Sequence, residues 1–362
     1  MTLVEERPAT TPGPRRTSVS ITANRLGRPA HGAIIGGAVV LGALSWVTQG
    51  EPNWARWIIV TLLSYTIGIY AISRAVEGRR RATDRLMLAV VSTAFVIVVI
   101  PLVSLIWTVV ERGTGRFDWT FFTTSMRGVV GAGGGGYHAV VGTLIVTGLA
   151  TLMSVPFGLF TAIYLAEYGH GTRLAKAIQA MVDVMTGIPS IVAGLFAYAL
   201  FELIFGPGTR SGIAGAVALT VLMTPVVVRS SEEMLRLVPN ELREAAYALG
   251  VPKWKTIVKV VLPTAIGGLI TGIVLAIARV IGETAPLLVT AGLAQGVNWN
   301  PFDGRMTTLP VYTYYQYVQP GIPPEAGQDR AWTAALALIL IVMVLFTIAR
   351  VLSHVLKPKG LR

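Results

Sequence analysis

The chain contains no cysteine. That excludes disulfides and any metal site built on thiolates. Histidine is scarce as well: His31, His138, His170 and His354 are scattered, without the spacing of metal ligands. The largest shortfall is charge. Only 13% of the 362 residues are Asp, Glu, Lys or Arg, against about 25% in a soluble domain. Half of the usual solvating charge is therefore missing, which excludes an ordinary soluble domain. In its place 53% of residues are hydrophobic, gathered into runs near or above the ~20 residues that cross a bilayer. The chain reads as a polytopic membrane protein.

Eight spans follow from the apolar runs: 32–49, 56–73, 86–109, 138–166, 177–205, 213–228, 264–292 and 331–354. The first two are the weakest, one short and glycine-rich, the other interrupted by Ser64, Tyr65 and Thr66. With the N-terminus inside, the inner segments carry 22 of the 30 Lys and Arg, and the outer ones seven: Arg56, Arg112, Arg116, Arg127, Arg210, Arg305 and Arg330. The positive-inside rule then sets both termini in the cytoplasm. The net charge of +12 reads as topology rather than a nucleic-acid footprint, because the basic residues are dispersed among membrane-flanking loops.

Residues 1–31, rich in Pro, Thr, Ser and Arg, read as a disordered cytoplasmic tail, followed by an uncleaved anchor rather than a signal peptide. Residues 32–85 form an N-terminal extension with two transmembrane helices, and 86–357 a six-span transmembrane domain. There is no evident internal repeat. The outer loop 110–137 ends in "GAGGGGYH". Such a run cradles phosphate only between a strand and a helix N-terminus, so here it reads as a flexible loop leading into a span. The outer loop 293–330, with "MTTLPVYTYYQY" and "QPGIPPEAGQ", is placed to pack across the outer mouth. Pro156 and Pro189 are expected to kink their helices.

The cytoplasmic segment 229–263, "RSSEEMLRLVPNELREAAYALGVPKWKTIVKVVLP", is long, polar and amphipathic. Pro239 and Asn240 open a first short helix with Glu241 and Glu244 near its positive end. Gly250 closes it, Pro252 suits the first turn of a second, and Pro263 is expected to mark a bend into the next span. Lys253, Lys255 and Lys259 face lipid or an acidic partner. Leu242, Ala245, Ala246 and Leu249 give the first helix a narrow face. Two readings stand on the residues alone: a helix that lies in a partner's groove, or one resting on the membrane surface.

"EAAYALGVPKWKTIVKVVLP" resembles the EAA loop of ABC importer permeases: Glu-Ala-Ala, three residues, Gly, nine residues, Ile, one residue, Leu-Pro. Glu244, Ala245, Ala246, Gly250, Leu262 and Pro263 match, and Val260 stands for Ile. "GTLIVTGLATLMSVPFGLFTAIYLAEY", "GIPSIVAGLF", "ARVIGETAPLL" and "TLPVYTYYQY" are similar to the phosphate-specific branch of PstA type. The resemblance covers about residues 86–357 and favours the docking reading of the loop. It implies an all-α membrane protein of the type I ABC importer permease fold, with six core transmembrane helices, here preceded by two more. It also implies partners: a PstC-type permease, a PstB-type ATPase dimer and a PstS-type phosphate-binding protein. No G-x-x-x-x-G-K-[ST] occurs in the chain, so ATP and Mg are assigned to the ATPase and no cofactor to this subunit.

Arg279 and Glu283 sit inside the run 264–292. An ionisable residue at membrane depth costs about 2.5–3.5 kcal/mol and usually faces a bundle interior or a wetted path. Four residues apart on one helix, the two share a face. They read either as a structural salt bridge or as a phosphate station. In the second case Arg279 offers a planar fork of donors. Glu283 accepts the P–OH proton that sulfate lacks, and neutralises Arg279 when the site is empty. Thr284 adds a hydroxyl. Arg229 is a candidate for the inner exit or an ordinary positive-inside anchor, and Asp183 lies near the inner end of its span. The same residues leave open a permease for sulfate or molybdate, and a membrane scaffold or sensor that transports nothing.

Overall fold

Helix is the one open-ended backbone form whose N–H and C=O groups are all satisfied within hydrocarbon. Every regular element among the described residues is helical. The computed structural model describes residues 26–47 and 53–356. In chain order the helices are α1 (Arg28–Val47), α2 (Trp54–Val76), α3 (Arg79–Gly113), α4 (Trp119–Thr123), α5 (Tyr137–Ile163), α6 (Arg173–Thr186) and α7 (Ser190–Phe205). They continue as α8 (Gly212–Arg236), α9 (Asn240–Ala248), α10 (Lys253–Thr256), α11 (Leu262–Ile281), α12 (Ala285–Thr290), α13 (Leu309–Val318) and α14 (Pro324–Leu356). Nearly all of the expected tail 1–31 lies outside the described residues, and α1 already begins at Arg28.

The chain divides into two compact units, one ending at Leu105 and the other starting at Ile106. The division falls within α3, which begins at Arg79, rather than at the expected boundary of 85. In the first unit α1 packs on α2, with Ile34, Ile69 and Ala89 forming a small apolar cluster. Glu77 caps α2 and carries a polar network. Its carboxylate accepts hydrogen bonds from Ser73 Oγ (2.7 Å), the Leu26 N–H (2.7 Å) and Arg85 Nη2 (2.8 Å). The hydrogen-bonded Arg85 guanidinium holds the Glu77 carboxyl near pKa 2, against an ordinary 4.5. A depressed carboxylate pKa lends stability that is complete above the unfolded value and disappears as pH falls through the folded one. The thermal midpoint of detergent-solubilised protein should therefore fall between about pH 4.5 and pH 2, more steeply than that of Glu77→Gln. Identical slopes would contradict this.

The second unit is built around α8, which packs on α5, α7 and α11. Ala216, Leu219, Met223 and Val227 of α8 are fully buried against Val146 and Ala150 of α5 and Ala276 and Val280 of α11. Small residues let these backbones approach. At Gly158 a methyl group would come within 2.7 Å of Val227 Cγ1. A second cluster (Ala162, Leu235, Val261, Ala265, Leu269) ties the ends of α5 and α8 to the start of α11. The outward faces are the reverse of a soluble protein. Leu152, Phe157, Phe160 and Leu203 are each at least 70% exposed, as lipid-facing side chains should be.

Six helical stretches among the described residues are long and apolar enough to cross a membrane, or seven if the bent pair α6–α7 counts as one span. That pair corrects the expected span 177–205. α6 and α7 meet at 105°, with Pro189 at the N-cap of α7. The residue before a proline disfavours helix, so the run breaks there into an amphipathic α6 and an apolar α7. Pro156, by contrast, lies inside α5 without interrupting it. The expected span 32–49 coincides, over its described residues, with α1.

Candidate functional site

The elbow between α8 and α11 forms as its punctuation requires. α9 starts after Pro239 and ends in a full Schellman closure: the Gly250 N–H bonds to Tyr247 O and the Val251 N–H to Ala246 O, with Gly250 at φ +74°. α9 leaves Glu241, Leu242, Glu244, Ala245 and Leu249 exposed, while Ala246 is buried. The outward face is therefore Leu242–Ala245–Leu249 with two carboxylates beside it, and Ala246 does not belong to it.

Pro263 does not interrupt the helix. Residues 253–281 run as one helical stretch, because a π turn at Ile257–Val261 absorbs the proline. The Leu262 N–H reaches back to Ile257 O, and the Thr264 hydroxyl takes the Val260 carbonyl at 2.7 Å. Of the lysines, Lys253 lies 4.7 Å over the Tyr168 ring; Lys255 and Lys259 are exposed.

The run 264–292 is not a single helix either. α11 stops at Ile281, Gly282 to Thr284 are non-helical, and α12 restarts at Ala285. Arg279 stands in the last turn of α11 and Glu283 in the break, so they do not share a helical face. They form no ion pair with each other. The ion pairs seen at Arg85, Arg116, Arg229, Arg236 and Arg243 involve neither residue. Arg279 is exposed, in line with the exposed Thr271 and Leu275, and its guanidinium is unpaired, while the neighbouring stripe of α11 (Leu269, Gly272, Ala276, Val280) is buried. Glu283 is half-buried with a free carboxylate. Thr284 caps α12 with no hydrogen bond from its hydroxyl. The break thus gathers an unpaired cation, an unpaired anion and a free hydroxyl in otherwise apolar chain.

Arg229 is engaged elsewhere. It pairs with Asp183 on α6 and, at 3.4 Å, with Glu232. Glu232 is buried and also accepts from Arg236 (2.6 Å) and Gln179 (3.3 Å). This network fastens α6 to α8, so Arg229 has a structural partner as an anchor would.

Comparison with known proteins decides the family. Residues 154–360, which include both the elbow and the break, match the family of binding-protein-dependent transport system inner membrane components. The PstA 1 phosphate transport permease of Mycobacterium tuberculosis is 47% identical over 289 residues, covering 78% of this chain and 93% of that protein. The chain belongs to the PstA family of phosphate transport system permeases. The PstA proteins of Mycobacterium leprae (48% over 276 residues, 75% of this chain and 88% of that one) and Yersinia pestis (36% over 279 residues, 77% and 92%) agree. The fold is also that of a bacterial ABC transporter for import of the acidic polysaccharide alginate. That match has a TM-score of 0.52 at 15% identity, over 75% of this chain and 96% of that one. An inward-facing MetNI methionine ABC transporter gives 0.50 at 22%, over 61% and 95%.

Within this PstA permease, two features escaped the sequence reading. The first is a clamp beneath the elbow. Arg243 donates through Nε and Nη2 to Glu167 Oε1 (3.1 and 2.7 Å), at the end of the α5 stretch. It also donates to Val238 O (2.6 Å) and Leu235 O (2.9 Å), at the end of α8. One guanidinium therefore joins α5, α8 and α9. Both side chains are largely buried, 13% and 4% exposed. A carboxylate at the end of an apolar run was the available signal, but its partner lies 76 residues away. The second is the glycine run. It is not a free loop: Arg330, 3% exposed, donates to Gly131 O and Gly133 O, and Arg116 donates to Gly134 O. Gly135 and Gly136 lie directly on Phe121, where a methyl group would meet its carbonyl or ring at 2.5 Å. The glycines serve close packing.

Proposed function

We propose that this PstA permease is the membrane subunit of an ATP-driven inorganic phosphate importer, and forms the translocation path together with a PstC-type permease. Arg279, Glu283 and Thr284 line that path. The observation that carries this reading is the unpaired, exposed Arg279 in the last turn of a membrane helix. A cation in that position costs too much to keep without a wetted surface or an anion to meet it. A face that is bare in one subunit and backed by the buried core suits a passage between two permeases. Arg279 supplies the donors. Glu283 accepts from the P–OH of HPO4²⁻ or H2PO4⁻, which separates phosphate from sulfate. Arg229 holds α6 to α8 at the inner end of the path.

The excess of basic residues on the elbow side supports a plasma-membrane orientation with both termini and the elbow in the cytoplasm. There the Leu242–Ala245–Leu249 face of α9 docks in a groove of a PstB-type ATPase dimer, which binds ATP and Mg. Glu244 and Gly250 set the helix and its closure, and Leu262 and Pro263 lead into α11. A PstS-type protein delivers phosphate from the other side. Reconstituted vesicles holding the purified complex and the binding protein test this. Phosphate should stimulate ATP hydrolysis and accumulate inside, with sulfate doing neither. A complex that hydrolyses ATP but accumulates sulfate instead overturns the phosphate assignment.

A further inference from the structure

Of the six outer arginines that lie in the second unit, three are engaged: Arg116 pairs with Asp118, Arg330 is held by carbonyls and Arg112 lies over the Trp332 ring. The other three, Arg127, Arg210 and Arg305, form no ion pair. These three converge on one stretch of chain. Each adjoins a residue whose backbone N–H is bonded to segment 290–295: Met126 to Gln295 O, Ser211 to Thr290 O and Met306 to Ala291 O, all at 3.0 Å. Arg210 and Arg305 flank Gly292. A methyl group there would lie 3.2 Å from Arg210 Cδ and 3.3 Å from Arg305 Cδ, so the two side chains stand side by side. Arg127 lies along Gly296, its Cδ at 3.6 Å from the same kind of point.

Holding like charges together without a carboxylate is unfavourable unless an anion shares them. Arginine on this face also runs against the positive-inside bias. Segment 290–295 is the direct continuation of α12, whose other end is the break holding Glu283 and Thr284. Six residues of helix span about 9 Å. One short helix therefore carries the arginine cluster at one end and the proposed path residues at the other.

We propose that Arg127, Arg210 and Arg305 form an oxyanion-capture station at the extracytoplasmic mouth. Phosphate released by the binding protein is held there before it passes along α12 to Arg279 and Glu283. The inference rests on the importer reading above. The arginines supply donors with no ion-paired carboxylate among them, so the cluster takes any tetrahedral oxyanion and leaves discrimination to Glu283 further in.

Arginine labelling reads this directly. The purified complex is treated with phenylglyoxal, and modification of each arginine is followed by mass spectrometry. Inorganic phosphate should slow labelling of Arg210 and Arg305 about threefold once it exceeds its dissociation constant about twofold. Sulfate should do the same. Equal labelling with and without either anion overturns the proposal. In vesicles, Arg210→Gln/Arg305→Gln should lower the maximal phosphate uptake at saturating binding protein, and Arg210→Lys/Arg305→Lys should restore part of it. Full recovery of the glutamine variant at higher binding-protein concentration would make the arginines a protein-docking contact and overturn the station. If the unsubstituted complex moves no phosphate, the importer reading itself fails. If it does and the arginines behave like bystanders, only this inference fails.

Discussion

Replacing Arg279 by glutamine is expected to lower phosphate uptake by about tenfold to a hundredfold while leaving the assembled complex intact. The size follows from the lost contact, since hydrogen bonds to charged groups contribute about 1.5–3 kcal/mol each, and every 1.4 kcal/mol is about a factor of ten. The intact assembly follows from the structure. Arg279 is exposed and bonds to nothing else in its own chain, so removing its charge leaves no buried partner behind. Had it been paired with Glu283 along one helix, the same substitution would have stranded a carboxylate. Lysine at the position should recover only part of the uptake, because an ammonium keeps the charge and loses the planar fork. Uptake assays on complexes matched for subunit content give the comparison. Near-normal rates for Arg279→Gln would remove this residue from the path.

The second large effect belongs to the clamp under the elbow. Arg243→Met should cost about 3–5 kcal/mol of stability, the usual penalty for leaving one member of a buried pair alone. It strands the Glu167 carboxylate and the carbonyls of Leu235 and Val238 together. The thermal midpoint of the complex is the readout. The paired change Glu167→Leu/Arg243→Met should regain most of that stability, since a buried ion pair is often replaced by apolar residues at little net cost. It should not regain coupling. Without the guanidinium that joins α5, α8 and α9, motion at the docking face is no longer passed to both membrane helices. ATP hydrolysis should then persist with little phosphate accumulated per ATP. A doubly substituted complex that is both stable and fully coupled would reduce the clamp to packing.

Much of the fold was legible because hydrocarbon demands long apolar runs, and those runs are unmistakable around α5, α8, α11 and α14. The elbow was legible for another reason: Pro239, Gly250 and Pro252 each fit a position that other residues fill poorly. What failed was continuity. "GIPS" and "GETAP" lie inside apolar stretches, and composition does not say whether a helix passes through a glycine or stops there. At Pro189 it turns, at Gly282 it stops, and at Pro156 it carries on. At Pro263 a π turn hides the proline within an unbroken stretch.

The candidate site shows the same limit. Arg279 and Glu283 stood out as charges in apolar chain, yet their geometry depended on a break that periodicity does not reveal. Arg243 and Glu167, or Arg210 and Arg305, were visible only as separate residues. Their meeting is a product of tertiary packing across long stretches of sequence.

The absence of cysteine from this chain opens the most direct test. Arg279→Cys places one thiol in the subunit, and a charged, membrane-impermeant thiol reagent reports whether water reaches it in the assembled complex. A thiol that reacts readily with the charged reagent is the predicted result. A thiol that stays inert to the charged reagent in every nucleotide state would mean the position is dry, and would contradict the account.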